Sequence, residues 1–186
     1  ISASLVGSEM CIRDSSYGLQ DKVSFNFRIW IRSCEIYSKM KKSIQLNLDN
    51  ADLSDKKILV VKTKWNEEII ESMVEDCINV LNNHEVDFST FTVPGAFEIP
   101  FMVSEKIESF DAAITLGAII KGETPHFDII AQSVSDQIIN LGIMFKKPVI
   151  FGVLTTNNSE QAIERAKTKG SELAESALYL LNEIDA

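Results

Sequence analysis

The stretch Ala112-Ala113-Ile114-Thr115-Leu116-Gly117-Ala118-Ile119-Ile120 carries no charge and a single hydroxyl. A run this short and this apolar predicts a strand covered on both faces. Such a strand belongs in the middle of a parallel sheet. Parallel strands cannot be joined by tight hairpins and need crossover connections, usually helices.

The chain beyond Lys56 supplies those elements in alternation. Lys56-Lys57-Ile58-Leu59-Val60-Val61 predicts a buried strand. Asn66 to His84 spaces Ile69, Ile70, Met73, Val74, Cys77, Ile78 and Leu81 along one side of a helix. Val86 to Val93 alternates apolar with polar residues, predicting a second strand that Pro94-Gly95 ends. Ala96 to Ser109 predicts a helix, Gly122 to Pro125 a turn, Phe127 to Phe145 a helix, and Pro148 to Leu154 a fourth strand. Asn157 and Asn158 are candidate caps for a helix from Glu160 to Ala166, and Ser171 to Ile184 predicts a separate last helix. The fold class is therefore α/β: a three-layer α/β/α sandwich around a four-stranded parallel sheet.

Composition narrows the function. Lys plus Arg is 18 against 27 Asp plus Glu, a net charge of −9. This disfavours non-specific binding to nucleic acid or to an anionic membrane surface. An anionic ligand would need local capture by backbone N–H groups and a few placed cations. Cys11, Cys34 and Cys77 are too scattered for a disulfide framework or a structural zinc site, and His84 and His126 lie far apart. No metal site is expected. No apolar run approaches the ~18 residues of a membrane span, and the cytoplasm is the expected compartment.

Residues 1–39 differ from the rest. They hold Tyr17, Phe25, Phe27, Trp30 and Tyr37 without a sustained period, and Ser4 to Ser15 resembles translated adapter sequence. Met40-Lys41-Lys42 reads as an ordinary start. Residues 1–39 are thus expected to be a non-native or disordered extension, and 40–186 the domain. The alternative is a genuine N-terminal extension. The intact mass of the protein from its native source separates the two.

Ligands of such sheets bind beyond the carboxyl ends of the strands. Here those ends are Lys64-Trp65-Asn66, Val93 to Glu98, Ile120 to His126, and Leu154 to Asn157. Gly122-Glu123-Thr124 before a helix can present N–H groups and a hydroxyl to a phosphate. His126 can move protons near neutral pH, or be a surface histidine at a helix start. Glu98 can accept hydrogen bonds from a polar ring or diol, or act as a first-turn acid favoured by the helix dipole. Trp65 can stack on a planar ligand, or pack in the core or at the edge. Arg165 can pair with a phosphate, or with Glu164, Glu160 or a neighbour's carboxylate. Phe151 alone reads as core, His84 as a solvated cap, and Glu67, Glu68, Glu71, Glu75 and Asp76 as a solvated helix face. Residue chemistry alone stops at an α/β protein that binds a small phosphorylated ligand with one acid–base histidine.

Taken together, a series of ordered segments resembles the 6,7-dimethyl-8-ribityllumazine synthase family of riboflavin biosynthesis. They are Trp65 to Ile69, Val93 to Pro100, Asp111 to Ala113, Leu116 to Asp128, Pro148 to Thr155 and Glu160 to Ala166. The resemblance implies a flavodoxin-like fold and condensation of 5-amino-6-(D-ribitylamino)uracil with 3,4-dihydroxy-2-butanone 4-phosphate, releasing water and phosphate. It implies no cofactor and no metal. By the same resemblance, Trp65 stacks on the pyrimidine with Asn66 beside it. Ala96, Phe97 and Glu98 take the ribityl chain and ring edge, and Ala118, Ile119 and Ile120 line the pocket. Glu123 and Thr124 hold the phosphate with Arg165, and His126 shuttles protons. Phe151, Arg165 and Lys169 come from a neighbouring subunit, so the active enzyme is a homo-oligomer, at least a pentamer. A riboflavin synthase is the protein partner it suggests.

Three positions depart from the family pattern. Trp65 stands where Phe is usual, and Lys121 where Arg is usual. Only Ala166, Lys167 and Thr168 separate Arg165 from Lys169, which is expected to shorten a turn between the last two helices and puts the role of Lys169 in question. The alternative function is a non-catalytic lumazine- or flavin-binding relative on the same scaffold. A receiver-type signalling domain would need aspartates where Lys62-Thr63-Lys64-Trp65 and Ile119-Ile120-Lys121 stand.

Overall fold

The computed structural model describes residues 46, 48 and 52–185. The expected boundary near residue 40 lies outside the described residues. Elements follow in the order β1 (Lys57–Thr63), α1 (Glu67–Asn83), β2 (Asp87–Val93), α2 (Ile99–Lys106), β3 (Ala112–Ile120), α3 (His126–Phe145), β4 (Val149–Thr156) and α4 (Ser159–Asp185). All four strands are parallel, in the order β2-β1-β3-β4. The chain therefore reverses its direction of travel across the sheet between β1 and β3, which leaves a crevice at their carboxyl ends.

Strand alternation sorts the core into two layers. Ile58 and Val60 of β1 and Ile114 and Leu116 of β3 pack against Ile70, Met73 and Cys77 of α1 and Leu173, Ala177 and Leu178 of α4. Leu59, Val61 and Ala113 face the other way, onto Ile99 and Val103 of α2 and Val134 and Ile138 of α3. Residues Ala112 to Ala118 of β3 are all buried, as a central strand requires. Burial pushes the Cys77 thiol up to about 12, because a thiolate would be charged in that apolar layer.

Two expectations fail. The helix expected over Ala96 to Ser109 is three pieces: a 3₁₀ turn at Ala96–Glu98, α2, and a second 3₁₀ turn at Ile107–Ser109. Pro100 sits in the first turn of α2, where its missing N–H costs no hydrogen bond. The second 3₁₀ turn ends under Lys147, whose ammonium donates to the carbonyls of Ile107, Glu108 and Phe110 at 3.1, 2.9 and 2.6 Å.

The second failure is at the C-terminus. The two expected last helices, with a turn between Arg165 and Lys169, are one helix of 27 residues. Gly170 marks a close approach rather than a break. A Cβ there would lie 2.1 Å from the Met73 carbonyl oxygen, so α4 crosses α1 on that bare Cα. Ala162, Ala166, Gly170, Ala174 and Ala177 make a buried stripe of small residues along α4. The asparagine cap is present: Gln161 N–H donates to Asn158 Oδ1 at 2.9 Å, and Asn157 N–H to Gln161 Oε1 at 3.0 Å.

Candidate active site

β1 and β2 continue pairing beyond their ends: Lys64 N–H donates to the Val93 carbonyl at 2.8 Å and Trp65 N–H to the Pro94 carbonyl at 3.1 Å. The buried Thr63 hydroxyl donates to the Trp65 carbonyl at 3.1 Å. This turn delivers an indole that is 73% exposed, so Trp65 is not a core residue. The indole borders Gly95, where a Cβ would stand 3.3 Å from Trp65 Cε3 and 3.3 Å from Glu98 Oε2. Gly95 N–H donates to Glu98 Oε2 at 3.0 Å, so the carboxylate and the indole both border Gly95. Glu98 thus sits as a first-turn acid.

Asn66 joins this group to β3, donating from Nδ2 to the Ala118 carbonyl at 3.2 Å. Ile119 and Ile120 follow at the end of β3 and project to opposite faces, Ile119 onto the α2–α3 layer and Ile120 onto the α1–α4 layer. Ala96 is buried and Phe97 is 60% exposed. Glu123 and Thr124 lie exposed in the turn that leads into α3, and His126 is the first residue of α3, also exposed. The turn is tied back by Lys121, whose N–H donates to the Thr156 carbonyl at 2.9 Å and whose ammonium lies 5.9 Å from the Phe127 ring centre.

The remaining candidates lie elsewhere in this chain. Phe151 pairs in register with Thr115, five residues before the end of β3, which places it about 17 Å back from the carboxyl edge. It lines a shallow cavity of about 280 Å³ with Asp128, Ala131, Gln132, Ser135 and Thr155. Arg165 and Lys169 sit on α4, in the opposite layer, one helical turn apart. Lys169 Nζ donates to Glu172 Oε2 at 3.0 Å. Glu164, weighed as a partner for Arg165, accepts from Lys167 at 2.7 Å. The candidates therefore fall in three places: the crevice, Phe151 on the α3 side of β4, and Arg165 with Lys169 on α4 in the opposite layer.

The sequence reading missed the left-handed backbone of Asn66, φ 60° and ψ 36°, and the amide bond it makes to β3. A Trp-Asn pair at a strand end before a helix is the available signal, but Asn there predicts a cap instead. Glu71, read as part of a solvated face, pairs with Lys62. The Lys64 ammonium holds the Glu67 carboxyl below its usual range. Among the described residues, no three His, Cys, Asp or Glu side chains converge to hold a metal ion.

A parallel α/β/α sandwich with an aromatic, a carboxylate and a helix start at its topological switch point belongs to the ligand-binding α/β proteins. Similarity narrows this further. The family model for 6,7-dimethyl-8-ribityllumazine synthase matches residues 55–185. Proteins bearing that name are 38% identical over 137 residues in Sulfurimonas denitrificans, covering 71% of this chain and 89% of the relative. In Limosilactobacillus reuteri the identity is 39% over 144 residues, covering 75% and 91%. In Chlorobium phaeovibrioides it is 42% over 138 residues, covering 69% and 88%. The chain belongs to the 6,7-dimethyl-8-ribityllumazine synthase family of enzymes.

Proposed function

We propose that this enzyme condenses 5-amino-6-(D-ribitylamino)uracil with 3,4-dihydroxy-2-butanone 4-phosphate to 6,7-dimethyl-8-ribityllumazine, with His126 as the proton shuttle. The observation that carries the reading is the placement of Trp65 and Glu98 around Gly95 at the β1–β2 edge, inside a family match spanning 55–185. The indole offers a stacking face to the pyrimidine, and Glu98 an acceptor to its polar edge. Glu123 and Thr124, at the start of α3, take the phosphate where the helix dipole favours an anion.

The chemistry asks little beyond placement. The substrate amine attacks the ketone carbonyl, and water leaves as the imine forms. Phosphate is then eliminated, and the ribityl-bearing nitrogen closes the second ring onto the remaining carbonyl carbon with loss of a second water. Holding two reactants in register supplies much of the acceleration. His126 moves the protons.

Phe151, Arg165 and Lys169 complete the site from a neighbouring copy. Their separation from the crevice within one chain supports this, as do the exposed Ile129, Ile139, Ile143 and Met144 of α3. Isolated monomers seldom leave so many large apolar side chains in water. We assign at least a pentamer, a cytoplasmic location and a riboflavin synthase as the protein that takes the product. No helix among the described residues is long and apolar enough to cross a membrane.

The test is to mix the full-length chain with both substrates and follow lumazine fluorescence together with phosphate. One phosphate per lumazine is expected. Tight lumazine or flavin binding without turnover would favour the binding-only relative.

A further inference from the structure

An asparagine at a helix start ordinarily turns its side chain back onto the first N–H groups of the helix. Asn66 opens α1 but makes no such bond. Its amide reaches instead across the crevice to the Ala118 carbonyl of β3, 3.2 Å away and 52 residues on in the chain. Its backbone is left-handed, a conformation asparagine tolerates and most residues do not. A local stabilising role has been exchanged for a long-range one.

What that tie controls follows from the indole beside it. At 73% exposure, Trp65 is not oriented by burial, so its backbone must orient it. The N–H bond to Pro94 and the carbonyl bond from Thr63 join it to the β1–β2 side of the crevice. Gly95 borders its ring on that same side. The tie to β3 comes from Asn66. It ties the residue next to the indole to the start of Ala118–Ile120, across the slot that a planar ring would enter.

We propose that Asn66 is a positioning residue for the pyrimidine substrate, acting through the Trp65 ring and not by touching the substrate. This rests on the function proposed above. The experiment compares KM for each substrate in the full-length protein, Asn66→Gly, Trp65→Ala and the double variant. Glycine keeps the left-handed backbone and removes only the amide. Asn66→Gly is expected to raise KM for 5-amino-6-(D-ribitylamino)uracil about 5-fold and to leave KM for the butanone phosphate within about twofold. In the Trp65→Ala background the same change should add less than about twofold, because the group it acts through is gone.

A full, multiplicative rise in the double variant would show direct contact with substrate and overturn the proposal. An unchanged pyrimidine KM, or equal rises for both substrates, would also overturn it. Asn66→Asp, which keeps the backbone preference but sets a carboxylate against the Ala118 carbonyl, runs the same cycle if the glycine variant does not assemble. Failure of both variants to fold would assign Asn66 to the fold and overturn the proposal. No product from the unaltered protein would overturn the functional reading as well, and is distinguishable because it needs no variant.

Discussion

His126 occupies the first position of α3, exposed, after the turn that presents Glu123 and Thr124. His126→Ala should slow turnover roughly 10- to 1000-fold while leaving oligomer size unchanged, as loss of one acid–base group predicts. Steady-state kinetics beside light scattering checks this, and unchanged turnover would remove His126 from the mechanism. Cys77 illustrates a residue read correctly as core but whose chemistry needed the packing. With its thiol raised from 9.0 to about 12, the folded state holds a proton that the unfolded state releases first. Stability from this group should therefore fall as pH rises from about 9 to about 12, visible as a declining urea midpoint that Cys77→Ala flattens. Glu98 and Trp65 were legible as candidates from their strand-end positions. That both border Gly95 was not, because this joins two strands whose pairing no local pattern encodes.

Periodicity located every strand and most helices because burial repeats every 2 or 3.6 residues. It failed where a residue type has two uses. The stretch from Arg165 to Lys169 predicts a turn between two helices, yet α4 runs through it and Gly170 just beyond serves as its crossing point over α1. Two effects oppose each other in Gly170→Ala. Helix propensity favours alanine by about 1 kcal/mol. Against it, a Cβ 2.1 Å from a backbone carbonyl cannot be relieved by a rotamer change and forces the helices apart. Overpacking of this kind costs about 1–3 kcal/mol or more, so the variant should be less stable and unfold at lower urea. A gain in midpoint would mean α4 slides freely on α1. Lys147 holds the end of the second 3₁₀ turn through three carbonyls, a function its position in a loop does not reveal. Lys147→Met should cost about 2 kcal/mol in the same assay.

At the scale of the molecule, the length of β4 holds Phe151 back from the crevice on the α3 side, and Arg165 and Lys169 lie on α4 in the opposite layer. A site shared between copies predicts complementation. His126→Ala and Arg165→Ala, each impaired alone, should regain activity when unfolded together and reassembled, because some interfaces then carry both native residues. Absence of any recovery in mixed oligomers of confirmed size would place the whole site within one chain. The continuous α4 adds a constraint: Arg165 and Lys169 move as one rigid unit one turn apart, with no intervening turn to adjust their spacing.

The alternation of apolar runs with amphipathic stretches determined, by itself, a parallel α/β sandwich with its ligand edge at the strand ends. Local physics suffices there, because a strand buried on both faces and a helix buried on one leave different periods in the chain. Tertiary structure alone decided that α4 is unbroken, that Asn66 reaches β3 instead of capping α1, and that Phe151, Arg165 and Lys169 stand apart from the crevice candidates. Each of these depends on which backbone atoms meet across elements far apart in the chain. Such contacts are set by the packing of whole layers, and no window of sequence contains both partners.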